Sequence, residues 1–158
     1  MRAAQRGDPL AMDALLTELA PWVGRLCSAI ALDRGEDAMQ ETLIVVLRNL
    51  PTLREPAALR GWVRRIAVRQ ALRIATDNRT IAVAELPEVA VAPDFDTAIG
   101  VRQTLAKLPP SQRAVLVLRH LEDLSERETA EALGTPEGTV KSGLYRARER
   151  FREHWEEA

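Results

Sequence analysis

The side chains of this sequence whose types and spacing could do chemistry are basic and hydroxylic rather than nucleophilic. Between residues 138 and 152 there are five basic side chains and a single acid, Glu149. Projected at 100° per residue, Val140, Leu144, Ala147 and Phe151 form an apolar stripe. Thr139, Ser142 and Arg146 fall opposite, flanked by Lys141, Tyr145 and Arg152. Such a helix can seat its stripe on a neighbour and offer its other side to the major groove, where Arg reads guanine edges and Lys and Ser hold phosphates. A basic helix taken alone is more often a solvated face, but the residues before it change the balance. Ser125 stands three residues before Glu128, a capping box that starts a helix. Gly134 can end that helix in the left-handed conformation, and Thr135 with Pro136 is expected to start the next. Helix, tight turn and basic helix is the arrangement that docks on duplex DNA.

A second basic block covers residues 48–79, with eight bases against two acids. Its helical stripe is Leu59, Trp62, Val63, Ile66, Gln70 and Ile74, so Arg60, Arg64 and Arg65 point away from it. Together with Arg48, Arg54, Arg69 and Arg73 they can hold several phosphates, with binding that falls steeply as salt rises. Trp62 lies on the stripe and is expected in the core rather than as a stacking platform. Just upstream the charge reverses. Met39, Leu43, Val46, Leu47 and Leu50 share one helical face, and Asp37, Gln40, Glu41, Ile44 and Arg48 share the other. An acidic rim around an exposed Ile44 repels phosphate and suits a protein partner; a solvated face carrying one Ile is the plainer alternative.

Other chemistries find no residues. Cys27 is the only cysteine, and His120 and His154 are isolated from it and from each other. No disulfide, metal site or cofactor is expected. No nucleophile with a paired base is visible either, so the chain is not expected to be an enzyme.

The elements that must position these groups are helices. The chain has 158 residues, 46% apolar and 28% charged, with a net charge of −1 that conceals the blocks. Residues 1–47 hold four bases and seven acids, 80–100 hold no base and four acids, and 101–158 hold ten of each. Of the basic residues 20 are Arg and two are Lys, a bias attributable to a GC-rich genome. No apolar run approaches the roughly 20 residues of a membrane span, and Met1–Gly7 lacks the apolar core of a secretory signal. No membrane insertion and a cytoplasmic location are expected.

Apolar periodicity predicts helices over Arg34–Leu50, Ala57–Thr76, Asp96–Lys107, Ser111–His120, Ser125–Leu133 and Glu137–His154. Pro9–Ala31 reads as one helix or as a pair broken at Pro21. Residues 78–97, with Pro87, Pro93 and four acids, read as a flexible acidic linker. The alternation Thr80–Val83 could be a strand, yet nothing offers it a partner. The expected fold is all-α: a helical bundle over 1–77 and a helix-turn-helix domain over 98–158.

From Leu105 the run LAKLPPSQRAVLVLRHLEDLSERETAEALGTPEGTVKSGLYRARERFR resembles the C-terminal domain of extracytoplasmic-function sigma factors, members of the sigma-70 family. GEDAMQETLIVVLRNL followed by LREPAALRGWVRRIAVRQALR resembles their N-terminal domain. The resemblance implies a polymerase subunit that directs initiation at specific promoters. It places upstream-element contacts on Lys141, Ser142, Tyr145 and Arg146, with Arg148 nearby, and Thr139 joins them from the side of the same helix opposite the apolar stripe. It assigns the melted downstream element to the N-terminal domain, where the basic block offers Arg54, Arg60, Arg64, Arg65 and Arg69, and puts a base-capturing loop at Leu50–Ala57. Asp37, Gln40, Glu41 and Ile44 match the surface that docks on a coiled coil of the largest catalytic subunit of core RNA polymerase; the polymerase flap and an anti-sigma factor are further implied partners. The implied DNA is duplex upstream and single-stranded downstream, and the acidic linker would thread polymerase's basic channel. Gly143 departs from the family's usual Arg, and Arg69 from its common Asn. Two alternatives share the residues: a sigma-like decoy that sequesters an anti-sigma factor, and a helix-turn-helix regulator with no polymerase role.

Overall fold

The computed structural model describes residues 1–77 and 95–156. Eight α-helices make up these residues: α1 (Arg2–Gln5), α2 (Pro9–Ala31), α3 (Gly35–Asn49), α4 (Leu59–Thr76), α5 (Phe95–Ala106), α6 (Pro110–His120), α7 (Glu126–Leu133) and α8 (Glu137–Glu156). Short 3₁₀ turns at Leu32–Arg34, Leu50–Thr52 and Pro56–Ala58 flank α3 and lead into α4. No strand occurs among the described residues. The Thr80–Val83 segment lies outside them, as does most of the expected linker, whose last residues already belong to α5.

The first 31 residues settle the Pro21 question. Asp8 caps α2, accepting from the Ala11 amide at 3.0 Å, and Pro9 occupies the first turn. The helix then runs unbroken through Pro21. A proline withholds one amide from the carbonyl four residues back. Here both Pro21 and Thr17 are exposed, so the freed carbonyl lies on the solvent side of the helix.

Helices α2, α3 and α4 bury Leu19, Trp22, Val23, Leu26, Ile30, Ala38, Val46, Val63, Ala67, Val68, Ala71 and Ile74 in one core. The inner face of α3 is turned from the expected one. Gly35, Ala38, Thr42 and Val46 are buried, whereas Leu47 is 45% exposed. Small residues explain the turn. A Cβ on Gly35 would lie 2.4 Å from Ser28 Cα, so the glycine permits an approach of α3 to α2 that no larger residue allows. Thr42 is satisfied inside by donating to the Ala38 carbonyl at 2.7 Å. Cys27 lies beside it, 3.9 Å from Thr42 Oγ1, and burial pushes its thiol up to about 11 despite that neighbour.

The run Pro9–Thr52 includes a stretch apolar and long enough to cross a membrane by length and composition. The sequence was expected to contain none. The stretch qualifies because α2 is rich in Leu and Ala; its Leu19, Trp22, Val23, Leu26 and Ile30 are committed to the core just described, while Leu10 stays exposed.

The C-terminal helices form a second cluster from Leu108, Val115, Leu116, Ala130, Val140, Leu144 and Ala147. The two modules also pack on each other, since Ala114, Val117, Leu118 and Leu124 join the N-terminal core. Arg113 crosses the junction. Its buried guanidinium donates to the carbonyls of Leu105 and Leu108, each at 2.9 Å, and to that of Ile30 at the end of α2. Burial, then the charge of Arg102, lowers its pKa from the usual arginine value.

Candidate functional site

The first helix of the helix-turn-helix forms as its capping residues require, whereas α8 begins at Glu137, its first turn closing on the Pro136 carbonyl, and the expected Thr135 side-chain cap is not made among the described residues. The Ser125 hydroxyl accepts from the Glu128 amide at 3.2 Å, and Glu128 Oε2 accepts from the Ser125 amide at 2.8 Å and its hydroxyl at 2.7 Å. These bonds hold the Glu128 carboxyl below its ordinary value. Gly134 ends α7 at φ 65° and ψ 34°, and the Thr135 amide returns to the Ala130 carbonyl at 3.1 Å. Left-handed backbone of this kind carries no Cβ penalty in glycine. On α8, Val140, Leu144 and Ala147 are buried against α6 and α7. Thr139, Lys141, Ser142, Tyr145, Arg146 and Arg148 all lie exposed, Tyr145 at 69%. Arg148 Nη2 lies 3.4 Å from His120 Nε2. Burial, Arg148 and Arg119 together lower the pKa of His120, which favours the neutral ring. Lys141 and Arg146 make no side-chain bond or ion pair among the described residues. The result is a rigid, aromatic-centred cationic face on a buttressed helix.

Gly143 sits at the edge of that face. A Cβ there would meet only Val115 Cγ2 at 3.8 Å, an ordinary contact, so packing does not call for the glycine.

The arginine helix is less uniform than its sequence implies. Arg54, Arg60, Arg65 and Arg69 are exposed. Arg64 is not: its Nε donates to Glu122 Oε2 at 3.0 Å, with side chains 16% and 9% exposed. Trp22 Nε1 donates to the other oxygen of the same carboxylate at 2.9 Å. Over the Trp22 ring lie the guanidinium carbons of Arg60, 4.5 Å from the centroid, and Arg64, 5.8 Å away. Trp22 and Glu122 were missed by sequence reasoning. Trp22 carried the signature of a core residue, which it also is, and Glu122 sits in the α6–α7 turn with no local signal. Trp62 is half-buried against the core, as expected of a stripe residue.

The acidic face is assembled as a cleft. Asp37, Gln40, Glu41 and Ile44 line a cavity of about 330 Å³ together with Arg34, Arg73, Ile74 and Asp77. Ile44 is 39% exposed, and Leu47, one turn on, extends the apolar surface. Arg34 anchors the floor, donating to the Ile74 carbonyl at 2.9 Å and the Asp77 carbonyl at 3.2 Å near the end of α4. Glu41 and Arg73 face each other across the cleft at 3.9 Å. Arg34 and Arg73 are additions to the expected set; their helix periodicity placed them on no shared face, because they come from different elements.

Comparison with known proteins decides what carries these three surfaces. Residues 15–80 match sigma-70 region 2 and residues 99–151 match sigma-70 region 4. The ECF RNA polymerase sigma factor SigM of Mycobacterium tuberculosis is 33% identical over 151 residues, covering 92% of this chain and 77% of that protein. The chain belongs to the extracytoplasmic-function sigma factors. A second relative, the RNA polymerase sigma-H factor of Pseudomonas aeruginosa, is 31% identical over 92% of this chain and 86% of its own. The fold is shared with the sigma factor RpoE of Bartonella quintana, solved with the anti-sigma factor NepR (TM-score 0.66, 23% identity, 91% of this chain and 96% of that one). It is shared also with CnrH, solved with the cytosolic domain of CnrY (TM-score 0.68, 22% identity, 96% and 92%). In this sigma factor, region 2 thus spans the acidic cleft and the arginine helix, and region 4 spans the capped helix-turn-helix.

Proposed function

We propose that this sigma factor divides promoter recognition between two modules, residues 1–77 and 98–158, joined by the acidic linker 78–97. The observation that carries the reading is the exposed face of α8: six groups able to bind DNA stand on one buttressed helix, with Lys141 and Arg146 free of competing carboxylates. Thr139, Lys141, Ser142, Tyr145, Arg146 and Arg148 would contact the duplex upstream element, Arg146 reading a base edge and Lys141 holding phosphate. Arg54, Arg60, Arg65 and Arg69 would track the melted downstream strand, Arg64 joining them once released from Glu122. The loop Leu50–Ala57 would receive an unstacked base. The cleft of Asp37, Gln40, Glu41 and Ile44 would take a coiled coil of core polymerase's largest subunit, where Ile44 and Leu47 are desolvated and the carboxylates meet basic side chains. The polymerase flap and an anti-sigma factor are further proposed partners. The protein supplies no catalytic group, and it works in the cytoplasm beside polymerase and chromosome.

Purified protein added to core polymerase is expected to initiate at a cognate promoter. Arg146→Ala is expected to weaken upstream-duplex binding by about 1–3 kcal/mol. Asp37→Ala is expected to impair polymerase association and leave isolated duplex binding intact. Equal effects of both changes in both assays would refute the division of labour. A decoy would associate with an anti-sigma factor yet fail to initiate, and a regulator without a polymerase role would not associate with core at all.

A further inference from the structure

The short helix α1 does something that promoter recognition, as set out above, leaves unused. Gly7, at φ 87°, turns the chain between α1 and α2, and Ala4 is fully buried. This brings Gln5 to residues some forty-five positions further on. Its Nε2 donates to the Leu53 carbonyl at 2.7 Å and to the Leu50 carbonyl at 3.3 Å. One primary amide has two N–H groups, so both are spent on the single four-residue turn Leu50–Leu53.

That turn is the near half of the loop Leu50–Ala57. Its local bonds are few: the Leu53 amide to the Leu50 carbonyl at 3.1 Å and the Thr52 hydroxyl to the Asn49 carbonyl at 2.7 Å. Pro51 and Pro56 have no amide to give. Leu50 is buried, but Leu53 and Glu55 are extended, and Arg54 and Glu55 lie exposed with no side-chain partner among the described residues. Without Gln5, the Leu53 carbonyl loses its short bond at the point where the loop leaves the core.

From this geometry we infer that Gln5 is a positioning residue for base capture: it fixes the Leu50–Leu53 turn so that the exposed half of the loop presents one preformed shape to an unstacked base. The inference rests on reading Leu50–Ala57 as the capturing loop. A loop already ordered before binding surrenders less entropy when the base enters, and a single shape discriminates bases where a mobile one does not. Gln5 itself touches no nucleotide.

The test uses holoenzyme made from the full chain and a promoter taken from mapped transcription starts. Three quantities are read: association with core polymerase, permanganate reactivity of unpaired thymines, and affinity for single-stranded oligonucleotides of the downstream element with each base varied in turn. Gln5→Glu keeps the shape but cannot donate and sets a carboxylate against two carbonyls. It is expected to lower oligonucleotide affinity and thymine reactivity about tenfold and to flatten base preference, with core association within about twofold of wild type. Gln5→Lys restores donation and is expected to recover base preference. Unchanged base preference in Gln5→Glu, or equal losses in core association and oligonucleotide binding, overturns the inference. Leu53→Ala and Arg54→Ala separate it from the reading beneath. If these alter base preference while Gln5→Glu does not, the loop reading stands and the positioning role falls. If neither loop variant alters it, both fall.

Discussion

Glu122→Gln tests how the two modules are held. Glu122 lies 9% exposed and accepts from Trp22 Nε1 at 2.9 Å and Arg64 Nε at 3.0 Å, one bond to each oxygen. The amide replacement retains an acceptor for Trp22 but removes the charge and turns an NH₂ group toward a guanidinium that is itself only 16% exposed. Hydrogen bonds to charged groups contribute about 1.5–3 kcal/mol, against about 0.2–1 for an exposed ion pair. The expected loss is therefore about 2 kcal/mol in urea unfolding, with an unchanged denaturant slope. Arg64→Met supplies the second edge of a double-mutant cycle, and the coupling energy is expected to exceed about 1 kcal/mol. A coupling below about 0.5 kcal/mol would place the pair among ordinary surface contacts and refute the argument from burial. The same variant carries a functional expectation. Glu122 is the one carboxylate paired with Arg64 among the described residues, and the guanidinium also lies over the Trp22 ring, so free protein bearing Glu122→Gln should bind single-stranded DNA more tightly than wild type, and the gain should vanish when Arg64 is also replaced.

Three further outcomes are expected. Gly143→Ala fills an ordinary gap beside Val115 and removes a mid-helix glycine, raising stability by about 1 kcal/mol and the melting temperature by about 2–4 °C; calorimetry checks it. Gly35→Ala drives a methyl to 2.4 Å from the Ser28 backbone and should cost at least about 1–3 kcal/mol, read as a lower urea midpoint. Cys27 is buried with its thiol pushed up to about 11, so iodoacetamide at pH 8 should label it only as fast as the N-terminal core opens. Labelling of native protein at the rate of a free thiol would contradict that burial.

The helix-turn-helix was legible residue by residue because its signals are local: Ser125 and Glu128 satisfy each other, and Gly134 answers a backbone requirement at its own position. The exposed set on α8 follows from period except for Arg148, which only the resemblance supplied. The inner face of α3 did not, because apolar periodicity weights large side chains, whereas the approach of α2 is set by Gly35, Ala38 and Thr42. Leu47 was misplaced for that reason. The engagement of Arg64 was illegible for another: its partner is 58 positions away in a turn, and charge blocks carry no information on long-range pairing. Pro21 left two readings open that only the solvent exposure of Thr17 and Pro21 could separate.

Arginine outnumbers lysine twenty to two here, and at most positions the two would be interchangeable passengers of codon usage. Arg113 is the clearest exception. Three carbonyls, from the ends of α2 and α5 and from the turn that follows α5, converge on it, and a planar fork with five donors can meet them all. An ammonium at the tip of a flexible stem would sit at one of them and leave the others dry and unanswered. A drift of base composition could therefore rewrite much of this surface in lysine, yet it would stall at this junction, where the choice of cation is dictated by shape.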